Sequence, residues 1–161
     1  MLTVTTHSPE ETRRLGRWLG QRLQAGDFLA LVGNLGAGKT HLSGGILEGL
    51  GVERTGGSPT FTLMWEYQTR LPVYHWDVYR LCQPADLEDL GYEEYFYGDG
   101  VNLVEWADRV EELWPEDHLR IGLSYGESEN DRVITFEGSP RYTKLLEDLT
   151  HAGFSTGDRH E

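Results

Sequence analysis

The sequence predicts a single α/β domain: a mixed, mostly parallel β-sheet flanked by helices and edged by antiparallel hairpins. Three observations carry that expectation. F-L-A-L-V, residues 28–32, is a continuous apolar run, the pattern of a central strand covered on both faces. It leads through the glycine-rich stretch G-N-L-G-A-G-K-T, residues 33–40, directly into a helical segment. Helical periodicity and short apolar runs then alternate along the chain, the order that builds a parallel sheet with helices on both faces.

Taken in order, residues 2–5 read as a short edge strand. Ser8 opens S-P-E-E, with Glu11 three residues on: a capping box with Pro9 at the first helical position. The helix continues to about residue 25, with Leu15, Trp18, Leu19 and Leu23 on one stripe. Gly26-Asp27 turns the chain into the central strand, and a second helix follows the glycine-rich stretch from about residue 39 to residue 50. Residues 51–59 form a loop. Residues 60–68 and 73–81 read as two strands joined by T-R-L-P, an antiparallel hairpin. Residues 84–90 read as a helix entered through Pro84, with Asp86, Glu88 and Asp89 outside. Residues 101–104 form a short apolar strand ending at Glu105. Residues 119–124 and 132–137 form a second hairpin around the polar loop 126–131, and residues 141–150 a closing helix. The domain spans residues 1–152, and residues 153–161 are a polar tail expected to be disordered. There is no internal repeat and no interdomain linker.

Composition narrows the function. With 161 residues the chain has room for one domain with a real core. Its mean hydropathy of −0.50 fits a soluble protein. The opening M-L-T-V-T-T-H-S is too polar to read as a secretory signal, and no apolar run approaches the ~20 residues of a membrane span. The one cysteine, Cys82, excludes an intramolecular disulfide and agrees with a reducing cytoplasm. The net charge of −13 argues against autonomous nucleic-acid binding. It also serves solubility alone. The only lysines are Lys39 and Lys144, and the first lies in the glycine-rich stretch.

Gly33, Gly38, Lys39 and Thr40 complete the phosphate-binding pattern G-x-x-x-x-G-K-[ST] of P-loop nucleoside triphosphatases. Glycine lets backbone N–H groups turn inward around oxyanions with no Cβ in the way. The phosphates would lie against Asn34, Leu35, Gly36, Ala37 and Gly38, at the positive end of the helix that carries Lys39, Thr40 and His41. The Lys39 ammonium reaches β- and γ-phosphates in such a loop, and the Thr40 hydroxyl ligates Mg²⁺. No asparagine precedes a lysine, so the N-K-x-D reading of guanine is absent and ATP (with ADP as product) is the expected nucleotide.

A phosphate-bound Mg²⁺ calls for a carboxylate at the end of a neighbouring strand. Glu105 of V-N-L-V-E-W stands where ligands gather in open α/β sheets; a glutamate starting a helix would look the same. In H-W-D-V-Y-R, period-two geometry puts His75, Asp77 and Tyr79 on one face and Trp76 and Val78 on the other. Asp77 is then placed to orient the attacking water or hold a metal-bound one, although a buried hydrogen-bonded aspartate needs no such role. His75 more often serves structure, and Arg80 is read as an ion-pair partner rather than a catalytic finger. Ser58 and Thr60 of S-P-T-F-T occupy the place where switch triphosphatases sense the γ-phosphate; Pro59 alone also explains that turn.

As a set, G-N-L-G-A-G-K-T, S-P-T-F-T-L, Y-H-W-D-V-Y-R-L, L-G-Y-E-E-Y-F and V-N-L-V-E-W resemble the bacterial TsaE (YjeE) family. Its members are small P-loop ATPases of tRNA threonylcarbamoyladenosine biosynthesis. The motifs span residues 33–106 almost continuously. The resemblance implies ATP hydrolysis with Mg²⁺ held by Thr40 and Glu105, and with Lys39 and Asp77 also required. It implies that Trp106 belongs to the site region and that Ser8 lies near the adenine. The implied partner is the TsaD–TsaB complex, which the ATPase would bind and reset without performing the transfer itself. Two positions depart from the family: Asn34 stands where Asp is common, and His41 where a second Thr is common. A domain this small, with no clear arginine finger, is expected to hydrolyse slowly until a partner docks. Two other classes stay open: a small-molecule P-loop kinase, and a nucleotide-dependent binding module without catalysis.

Overall fold

The computed structural model describes residues 1–33, 39–53, 63–79 and 83–158, with the backbone alone for Lys39, Thr40, Gly157 and Asp158. Every side chain of F-L-A-L-V is buried, and this run is the middle of the sheet. Strand β2 (Phe28–Gly33) lies between β5 (Val101–Glu105) and β6 (Leu119–Tyr125), parallel to both. β4 (Pro72–Asp77) extends the parallel set beyond β5. Antiparallel strands close the margins. β3 (Met64–Gln68) pairs with β4 on one side. On the other, β7 (Arg132–Gly138) pairs with β6, β1 (Leu2–Thr6) with β7, and β8 (Ser155–Asp158) with β1. The eight strands run in the order β3-β4-β5-β2-β6-β7-β1-β8. Both expected hairpins, β3–β4 and β6–β7, are present.

Alternation along β2 feeds two apolar layers. Leu29 and Leu31 face a core shared with Leu15 and Leu19 of α1 (Pro9–Arg22), Leu42 and Ile46 of α2 (Lys39–Leu50) and Leu149 of α5 (Thr143–Thr150). Phe28, Ala30 and Val32 face the other layer. There they meet Leu87 of α3 (Pro84–Glu88), Phe96 of α4 (Glu93–Phe96), and Ala107 and Val110 of a 3₁₀ segment, Ala107–Leu113. A fully buried Leu or Phe contributes about 1.5–3 kcal/mol relative to an exposed one. Each face of the centre is therefore held independently. Among the described residues no helix is long and apolar enough to cross a membrane.

The two helices on the first face touch backbone to backbone. A Cβ added at Gly20 would stand 2.2 Å from the carbonyl oxygen of Ile46, and one at Gly45 would stand 2.2 Å from that of Arg13. Arg13 and Arg17 of α1 also pair with Glu48 of α2 at 2.7 and 3.0 Å, but at exposed positions that contribute little. The glycines, not the ion pairs, set the approach.

Several boundaries differ from the sequence reading for identifiable reasons. α1 stops at Arg22 rather than about residue 25, and Arg70 donates to the carbonyls of Gly20 and Leu23, satisfying groups that another turn would have paired. Ser8 caps α1 by accepting from the Glu11 N–H, yet the Glu11 carboxylate accepts from the His7 N–H, one residue before the expected partner. β4 ends at Asp77, whose Oδ1 accepts from the Tyr79 N–H and turns the chain out of the strand. The expected edge strand β1 lies one position inside the sheet. Ser155–Asp158, within the stretch read as a disordered tail, pairs with it from Thr5↔Ser155 to Leu2↔Asp158. That strand has no apolar alternation; its main-chain ladder with β1 defines it.

Candidate functional site

The carboxyl ends of β2, β4, β5 and β6 meet at one edge of the sheet. Gly33 ends β2 with φ 91°, and a Cβ there would lie 2.7 Å from the carbonyl oxygen of Leu123 on β6. Glycine is therefore required where the chain leaves the sheet toward the phosphate motif. Asn34, Leu35, Gly36, Ala37 and Gly38 lie outside the described residues, as do Ser58, Thr60, Arg80 and Cys82 and the side chains of Lys39 and Thr40. The backbone of Lys39 and Thr40 forms the first turn of α2, as the motif predicts.

Asp77 and Glu105 stand side by side in register at the ends of β4 and β5, and Leu31 of β2 is the other neighbour of Glu105. The alternation read for β4 holds for His75, Trp76 and Asp77, while Val78 and Tyr79 lie past the strand end. Trp76 and Val78 are fully buried in the layer away from α2, while His75 and Asp77 take the opposite face. Glu105 is 5% exposed. Burying a carboxylate is costly unless hydrogen bonds replace its water. Here the Ser43 hydroxyl donates to Oε1 at 3.0 Å, and Nε2–H of His75 donates to Oε2 at 2.6 Å. Ser43 lies on α2 one helical turn after Lys39, so this bond ties the carboxylate to the helix of the phosphate motif. Ser43 was not singled out in the sequence; its i+4 spacing from Lys39 was the available signal.

Directly after Glu105 the backbone turns through a left-handed residue, Trp106, at φ 61° and ψ 33°. It is the one non-glycine with positive φ among the described residues. Such a conformation costs about 1–3 kcal/mol and persists where surrounding contacts enforce it. Trp106 is half-buried, packs against both apolar layers, and lies with its ring 4.7 Å from that of Tyr79. The Arg109 guanidinium sits 5.1 Å from the centre of the same Tyr79 ring.

The start of α1 approaches α2 from the other side. Pro9, Thr12, His41, Asn130 and Arg132 line a cleft of about 50 Å³ beside Ser8. It joins the N-terminus of α1, the first turn of α2 and the β6–β7 loop. His41 is exposed there. His7 donates from Nδ1 to Asp131 Oδ1 at 3.0 Å, which raises the His7 pKa and lowers that of Asp131.

The donor set fits a hard divalent cation. Glu105 offers carboxylate oxygens held in one orientation by Ser43 and His75, and Asp77 supplies a second carboxylate beside it. Among the described residues no three His, Cys, Asp or Glu side chains converge on a point. Mg²⁺ is commonly held by one or two carboxylates together with substrate phosphates rather than by such a cage.

Comparisons with known proteins give the family. The family described as "Threonylcarbamoyl adenosine biosynthesis protein TsaE" matches residues 6–134. The chain is 45% identical over 147 residues to the tRNA threonylcarbamoyladenosine biosynthesis protein TsaE of Bacillus subtilis, covering 90% of this chain and 91% of that one. It is 42% identical over 122 residues to the protein of the same name from Treponema pallidum, covering 76% and 90%. The crystal structure of Bacillus subtilis YdiB superposes with a TM-score of 0.79 at 40% identity, covering 94% of this chain and 97% of that one.

Proposed function

The chain belongs to the TsaE family, and from that membership we propose that it is a Mg²⁺-dependent ATPase serving tRNA threonylcarbamoyladenosine biosynthesis in the cytoplasm by acting on the TsaD–TsaB complex. The observation that carries this reading is Glu105, whose carboxylate sits at the strand end beside β2 and is bonded to Ser43 of the helix that Lys39 begins.

The chain's own groups then have distinct tasks. Backbone N–H groups from Asn34 to Gly38 cradle the phosphates, and Lys39 offsets their charge. Thr40 and Glu105 would hold the magnesium. Bound there, it would neutralise charge on the β- and γ-phosphate oxygens. Asp77, in register with Glu105, orients the attacking water. Ser8, His41 and Trp106 border the nucleotide. Hydrolysis by the isolated chain is slow, and docking on TsaD–TsaB raises it.

A steady-state ADP-release assay, with and without purified TsaD–TsaB, tests the reading. Slow Mg²⁺-dependent ADP release that rises with the complex supports it. A rate indifferent to the complex, or stoichiometric transfer of phosphate to an added nucleoside or metabolite, overturns it; the second outcome identifies a kinase.

A further inference from the structure

We propose that His75 is a positioning residue for Glu105, fixing the direction in which the carboxylate presents itself to the cation of a metal–nucleotide complex. The proposal rests on the ATPase reading above and deepens it. Three features of the structure carry it. The 2.6 Å contact from His75 Nε2 to Glu105 Oε2 is a donor on a charged acceptor, short even for that class. The other oxygen of the same carboxylate is taken by Ser43 at 3.0 Å, so the group is gripped at both ends by two different elements, β4 and α2. The ring of His75 is itself steadied by the Trp65 ring, 5.7 Å away at an interplanar angle of 37°.

A glutamate side chain that is fixed only on ligand binding loses rotamer entropy at that moment. Here that ordering precedes the ligand. Hydrogen bonds of this kind behind a metal ligand typically matter by about 10- to 100-fold in metal affinity. Space-filling alone makes no use of a nitrogen at this point. A positioning role requires the donor and is indifferent to the ring.

Two substitutions separate these roles. His75→Gln keeps an N–H at the end of a side chain of similar reach and removes the ring. His75→Phe keeps the ring against Trp65 and removes the donor. The measurement is Mn²⁺ binding by electron paramagnetic resonance, titrated into protein saturated with a non-hydrolysable ATP analogue, with thermal melts run beside it. His75→Phe is expected to raise the Mn²⁺ half-saturation by about 10-fold or more, while His75→Gln stays within about threefold of the parent. Ser43→Ala, which removes the grip on the other oxygen, should raise it by at least about threefold.

A His75→Phe protein that binds Mn²⁺ like the parent, or a His75→Gln protein equally impaired, overturns the assignment. If the melt shows His75→Phe unfolded, Ser43→Ala and His75→Gln decide. An unchanged half-saturation in Ser43→Ala, or a loss in His75→Gln, overturns it. A parent protein that binds no metal–nucleotide complex overturns the ATPase reading itself, and this inference falls with it.

Discussion

The indole N–H of Trp76 donates to Oδ1 of Asn102 at 2.9 Å, joining β4 to β5 on the face of the sheet opposite His75 and Glu105. Both residues are buried, and the Asn102 amide also donates to the carbonyl of Tyr95 at 2.8 Å. The two strands that carry Asp77 and Glu105 are thus pinned from behind. Asn102→Ala leaves a buried indole N–H and a carbonyl without that partner. Each such loss costs about 1–3 kcal/mol, so the variant should be destabilised by about 3 kcal/mol in urea unfolding. A midpoint unchanged from the parent would show that this pin does not hold the strands.

Gly20→Ala and Gly45→Ala should each destabilise the fold although alanine is the better helix former by about 1 kcal/mol. The added methyl meets a carbonyl oxygen at 2.2 Å in either case, so the helices must separate. Overpacking of this kind costs about 1–3 kcal/mol, and backbone atoms yield less than side chains. Thermal melts of the two variants check the sign; a gain in Tm would contradict the close crossing.

Glu105→Gln removes the charge at the strand end while keeping a side chain of the same size. Hydrolysis measured with the partner complex should fall by roughly 100-fold or more, the scale of several kcal/mol of lost charge stabilisation. Analogue binding without metal should stay within about twofold, because the phosphate loop is untouched. Lys39→Ala, in contrast, should lose nucleotide binding with little change in melting temperature.

His7 and Asp131 give the fold a pH-dependent contact. The hydrogen bond to Asp131 raises His7 above its ordinary 6.5, so the contribution is complete below about pH 6.5 and is lost as pH rises through the raised value. The same bond lowers Asp131 below 3.8, so its contribution is present above that pH and lost as pH falls through the lowered value. The pair therefore acts most fully between those limits. The Tm difference between the parent and His7→Gln should be larger at pH 5.5 than at pH 8.5, and an NMR titration of His7 should give a midpoint above 6.5. Equal differences at both pH values would remove the contact from the account.

The parts of the fold legible in the sequence are those whose signal is local. The apolar run of β2, the stripe of α1 and the period-two pattern of β4 each announce an element within a few residues. The strand end at Glu105 follows from the apolar run before it, whereas its register with Asp77 comes from the pairing of β4 with β5, which no local pattern states. Other features have no local signal. α4 spans four residues, too few to show a helical period. β8 has no apolar alternation and is defined by its main-chain pairing with β1. The bond from Ser43 to Glu105 joins positions 62 apart, and only the folded sheet brings them together. Period-two geometry puts His75 on the Asp77 face, but its contact with Glu105, 30 residues on, needs the folded sheet.

The glycine contact between α1 and α2 has a mechanical consequence. Two helices fused along their backbones behave as one plate, so the helix begun by Lys39 has no independent hinge. A ligand arriving at its first turn meets a stationary anvil. A load placed on that turn is shared with α1 through the crossing at Gly20 and Gly45, where a Cβ would stand 2.2 Å from the facing carbonyl oxygen.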